Sequence, residues 1–77
     1  GMPEQAEEAF KHGLTIQPHN LAARFYLIGL YHYTDRIEEA IIECDNILKL
    51  SPDNPRASML KESLRMEASK MKGAYRN

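Results

Sequence analysis

A chain of 77 residues has room for one domain with a small core, and its charges nearly cancel: ten Lys and Arg against eleven Asp and Glu leave a net charge of −1. That balance, with no basic stripe, argues against nucleic acid as a partner; Lys70, Lys72 and Arg76 make only a mildly basic, solvated tail. A single cysteine, Cys44, excludes an intrachain disulfide, and no apolar run approaches the roughly 20 residues that span a bilayer.

The N-terminus carries no charged-then-apolar leader pattern, which makes the cytoplasm the expected compartment. Gly1-Met2 reads as the remnant of a cleaved tag, and Gly1 is left outside the fold. The first helix is expected from about Pro3 to Ile16, with Ala6, Phe10, Gly13 and Leu14 on one face. Pro18 stops it, because proline cannot continue a helix and displaces the residue before it from the helical region.

Asn20 is placed to cap a second helix, from about Leu21 to Tyr33. This helix is apolar on two sides. Leu27, Ile28 and Tyr31, flanked by Ala23 and Leu30, form one face; Phe25, Gly29 and His32, with Tyr33 beside them, form the other. Such a helix packs in the middle of a stack or lends one side to a ligand. A turn follows at Thr34-Asp35. Asp35 is expected to cap the third helix, with Glu38 completing a capping-box-like pair.

The third helix, from about Arg36 to Leu50, sets Ile37, Ala40, Ile41, Cys44, Ile47 and Leu48 against Glu38, Glu39, Glu43, Asp45 and Lys49. Pro52 ends it, Asn54 caps the next, and Pro55 suits the first helical position. The fourth helix runs from about Pro55 to Met71, with Ala57, Leu60, Leu64, Ala68 and Met71 on one side. Alternation at period two is absent, so no strand is expected.

The chain repeats itself at 34 residues. Ala6 falls on Ala40, Leu14 on Leu48, Ile16 on Leu50, Pro18 on Pro52, Asn20 on Asn54 and Ala23 on Ala57. With that period, the Leu27 and Tyr31 pair, Ala40, and Pro52 closing the unit, the sequence resembles the tetratricopeptide repeat family. The resemblance implies an all-α fold: a right-handed superhelix of stacked antiparallel helix pairs, here a solenoid fragment of about four helices. It implies a single domain over 2–77. Residues 3–20 would be the second helix of a partial repeat and 21–54 a complete repeat. Residues 55–72 would form a C-terminal capping helix and 73–77 a tail. Arg24 stands where the family places a large aromatic, Ile28 where it places a small residue, Cys44 where an aromatic is common, and Asp35 where the turn glycine belongs. Lys61 and Glu62 replace a leucine and a small residue, as the polar outer face of an end unit would.

The same resemblance implies a protein or peptide partner held in a concave groove lined by the first helix of each pair. Carried over residue by residue, that side is Ala22, Phe25, Gly29, His32 and Tyr33 on the second helix, and Arg56, Met59, Ser63 and Met66 on the fourth. Phe25 and Tyr33 offer broad apolar contact at low entropy cost, Gly29 admits a close backbone, and the methionines adapt. Arg56 and His32 are able to pair with an acidic group. In the alternative, Phe25 and the methionines fill gaps between stacked helices. Some relatives grip a terminal carboxylate with Lys, Asn and Arg; Phe25 and Gly29 hold the matching places here, so no such clamp is expected.

No enzyme chemistry emerges. His12, His19 and His32 lie in separate elements without a second ligand at metal spacing, so neither metal nor cofactor is expected. Cys44 sits on an apolar face and reads as a buried, inert thiol. Glu7-Glu8 and Glu38-Glu39 read as exposed, solubilising pairs. The competing function is self-association: Ala6 and Phe10 on a first helix with no preceding partner leave an apolar patch that a homo-oligomer would cover.

Overall fold

The computed structural model describes residues 2–74, with side chains followed as far as Lys70. It contains four helices and, among the described residues, no strand: α1 (Met2–Ile16), α2 (Leu21–Tyr33), α3 (Ile37–Leu50) and α4 (Pro55–Ala74). α4 continues past the expected end near Met71, and residues 75–77 of the expected tail lie outside the described residues.

The repeated turns are built from the same hydrogen bonds. Gln17 N–H donates to Gly13 O (2.8 Å) and Ser51 N–H to Ile47 O (2.7 Å), closing α1 and α3. Asn20 N–H then donates to Gln17 O, and Asn54 N–H to Ser51 O. Each asparagine turns its side chain onto the helix it opens. Asn20 Oδ1 accepts from Ala23 N–H at 3.1 Å, and Asn54 Oδ1 accepts from Ala57 N–H at 3.0 Å. Each satisfies one of the orphan donors of a helix start.

The turn between α2 and α3 differs from expectation. Asp35 does not cap α3; the N-cap is Arg36, which makes no side-chain capping bond. Asp35 closes α2 instead. Its N–H donates to His32 O and that of Arg36 to Tyr31 O, the paired bonds of a left-handed helix ending. Asp35 accordingly has φ +61°, the conformation for which glycine is the usual residue. A short polar side chain that tolerates this region looks, in sequence, the same as a cap.

α2, α3 and α4 share one core. Leu27, Ile28 and Tyr31 meet Ile37, Ala40, Cys44 and Ile47, with Ala57 and Leu64 closing it from α4. Ala40 and Ala57 are fully buried and small, which lets the helices approach closely. Ile28, bulky where the family prefers a small residue, is itself buried. α3 packs on both α2 and α4, while those two do not pack on each other. α1 rests on α2 alone and contributes no buried residue. Phe10 and Leu14 are half-buried against the core, and the Phe10 ring stacks on Tyr26 at 5.4 Å.

Polar ties fix the outside. Arg24, standing where an aromatic was expected, donates to Glu43 (3.1 Å) and twice to the carbonyl of Pro18, so it clamps the first turn to α3. Arg36 lies over the Tyr31 ring at 4.6 Å, between the carboxylates of Glu7 and Glu39. Glu7 also takes Lys11 at 2.9 Å. Glu7 and Glu39 are therefore not merely solvated charges, as their adjacent glutamates suggested; they hold α1 and α3 to the Arg36 corner. The two cations beside it lower the Glu7 carboxyl to about 2. Lys61 reaches Asp45 at 2.6 Å, giving the polar face of α4 a tie to α3.

Candidate binding groove between α2 and α4

Two helices that share a neighbour, and whose backbones do not approach each other, leave a channel between them. α2 walls it with Phe25, Ile28, Gly29 and His32, and α4 with Arg56, Leu60, Ser63, Leu64 and Glu67. The space between them, open to solvent on one side, is about 230 Å³ and its lining is mostly apolar. Along α2 the wall runs from residue 25 to 32, about 10 Å at the helical rise. The side facing α3 is closed by the core side chains of Ile28 and Leu64.

Gly29 lies on the channel wall. A Cβ built there meets nothing within 4 Å, so no neighbour in the chain requires glycine at this position. Its place in mid-helix nonetheless costs about 1 kcal/mol relative to alanine. Beside it, the half-buried Phe25 ring carries the Arg56 guanidinium at 4.3 Å. The contact is of cation–π type, and it keeps the cation on the channel wall. Arg56 has no carboxylate partner among the described residues. Two further depressions adjoin the channel at the same side chain: one is lined by Ala22, Phe25, Tyr26 and Arg56, the other by Pro55, Arg56, Met59, Leu60 and Ser63.

At the far end, Nε2 of His32 lies 3.0 Å and 3.1 Å from the two carboxylate oxygens of Glu67. Both side chains are about half exposed, so this contact bridges the channel at its surface rather than within the core. His32 thus already has an acidic partner within the chain.

Of the residues singled out in the sequence, Phe25, Gly29, His32, Arg56 and Ser63 share the channel. Ala22 and Met59 line the adjoining depressions. Tyr33, 79% exposed, and Met66, 59% exposed, stand outside all three. Ile28, Leu60, Leu64 and Glu67 also line the channel and were not assigned to the groove. The 34-residue shift maps His32 onto Met66, but the side of α4 that faces α2 is carried one position further along, by Glu67. Cys44 is buried in α3, and burial pushes its thiol up to about 11, away from thiolate chemistry. Among the described residues, no group of three or more His, Cys, Asp and Glu side chains could hold a metal ion.

A model of the tetratricopeptide repeat matches residues 1–64. The chain belongs to the tetratricopeptide repeat family. No curated protein and no solved structure matches it. Tetratricopeptide repeats are protein–protein interaction modules, typically scaffolds without catalysis. In this tetratricopeptide chain, α2 and α4 begin 34 residues apart, at Leu21 and Pro55, with α3 between them. No helix among the described residues is long and apolar enough to cross a membrane.

Proposed function

We propose that the channel between α2 and α4 binds an apolar segment of a partner polypeptide. Gly29 carries the reading: α2 gives up helix stability at a position where the chain itself leaves the space empty. Phe25, Leu60 and Leu64 supply contact area around that space, and Arg56 and Ser63 supply polar groups at its edge. Residues 21–54 act as the complete repeat, 3–20 as the second helix of a preceding one, and 55–72 as a cap. Phe25 and Gly29 at the clamp positions speak against recognition of a terminal carboxylate.

A displayed library of randomised peptides about ten residues long, panned on the chain, tests this. Binders, resynthesised with amidated ends, should carry an apolar anchor. They should lose at least about tenfold in affinity when Gly29→Leu fills the channel, the worth of burying one or two methylene groups or more. Helicity by circular dichroism should be retained. Binders indifferent to Gly29→Leu would place recognition elsewhere.

A second reading, self-association, draws on α1. It has no buried residue, while Met2, Ile16 and the neighbouring Tyr26 of α2 are 79%, 69% and 65% exposed. Ala6 and Phe10 lie on α1 within this region, both half-buried. Because Phe10 packs on Tyr26 and the core, Phe10→Glu would damage the fold as well as any interface. Tyr26→Glu is the cleaner variant. If two copies pair here, light scattering across a concentration series shows a dimer that Tyr26→Glu reduces to a monomer; a monomer at all concentrations ends this reading.

A further inference from the structure

The channel is charged unevenly along its length. Arg56 stands at one end, over Phe25, without an anionic partner among the described residues. That end adjoins the first turns of both α2 and α4, so two helix N-termini add positive potential beside the guanidinium. The other end approaches the last turn of α2 and carries the Glu67 carboxylate on His32. Residues 56 and 67 are three helical turns apart on α4, about 16 Å. Between them the wall is Leu60, Ser63 and Leu64 on one side and Ile28 and Gly29 on the other.

We infer that this groove selects peptides of one polarity: an apolar anchor over Gly29, with an acidic residue on the side that lies toward Arg56 and none toward Glu67. This rests on the channel being the binding site. The other cations that bridge elements are already engaged: Arg24 by Glu43, Arg36 by Glu7 and Glu39, Lys61 by Asp45. Arg56 is instead held against an aromatic face at the meeting point of three depressions. A planar guanidinium supported by a ring keeps its edge donors available for a carboxylate, and less side-chain freedom is lost on pairing. At the opposite end, a second acidic residue would meet Glu67 and be repelled. The groove therefore sets the direction in which a chain lies as well as its composition.

The test uses the library and the amidated binders on three proteins: the unaltered chain, Arg56→Glu and Gly29→Leu. Binders of the unaltered chain should carry Asp or Glu on one fixed side of the anchor. Replacing that acid by its amide should weaken them roughly tenfold, as should Arg56→Gln, and the two losses should not add. Panning on Arg56→Glu should enrich Lys or Arg at the same place. If Gly29→Leu abolishes binding while Arg56→Glu selects the same acidic peptides as the unaltered chain, the channel stands and the polarity is refuted. If binding ignores Gly29→Leu, or no peptide is enriched, the channel reading falls and the polarity with it.

Discussion

Asp35 shows how much one backbone angle decides. A residue with a Cβ at φ +61° crowds the following carbonyl, and aspartate tolerates this better than most but not freely. Glycine has no such conflict. Asp35→Gly should raise stability by roughly 0.5–1 kcal/mol, seen as a rise of a few degrees in Tm. A fall in Tm would mean that the Asp35 side chain does something for the turn beyond occupying it. Gly29 presents the opposite case: an unstrained helical glycine where alanine would fit and would strengthen α2. The two residues separate what the turn requires from what the chain merely permits.

At the level of elements, α1 is the least secured. Among the helices it packs only on α2, through half-buried Phe10 and Leu14, and its polar hold is the Glu7 carboxylate on Arg36. Amides of α1 should exchange with solvent faster than those around Ala40, Cys44 and Ile47 on α3, which are completely buried. The Glu7 carboxyl is lowered from its ordinary 4.5 to about 2, so its contribution is fully present above about 4.5 and is lost as pH falls toward 2. Glu7→Gln should therefore speed α1 exchange at pH 6 and matter progressively less as pH falls through that window. Equal effects at pH 6 and pH 2.5 would remove Glu7 from the docking of α1.

The elements themselves were legible because their punctuation is chemical and local. Pro18, Asn20, Pro52 and Asn54 mark two turns that the structure closes with matching bonds. Asp35 misled because cap and left-handed turn residue share one side-chain chemistry. The ties from Glu7 to Arg36 and from His32 to Glu67 span 29 and 35 positions, and nothing in local pattern reveals them. The groove was half legible. The 34-residue period pointed to α2 and α4, the two helices that wall the channel, but a helix turns about 100° per residue. Shifting by 34 therefore named Met66 where its neighbour Glu67 faces α2.

Over the whole molecule, the chain is broad and thin, with principal extents of 46 × 35 × 13 Å. Such a shape offers much surface for its mass and little depth for a core, as expected of a unit whose core lies between adjacent helices. Core and groove are consequently opposite sides of the same helices. On α2, Leu27 and Tyr31 face the core while Gly29 and His32 face outward, and on α4 Leu64 belongs to the core and the channel wall alike.

Because the backbones of α2 and α4 both pack on α3 and not on each other, with the Arg56–Phe25 and His32–Glu67 side-chain contacts crossing between them, the width of the channel is gauged from behind. Ala40, with no exposed surface, acts as the spacer in that gauge. A larger side chain at this hidden position should splay the two walls and, if the proposed binding holds, retune which anchors are accepted, with no atom of the channel lining altered. For Ala40→Val the expected result is a shift of selected anchors toward bulkier side chains in a chain that remains helical. An unchanged anchor preference would show that the walls yield independently of their support. The expected shift would mean instead that the channel's preference is adjustable through its back, leaving its lining intact.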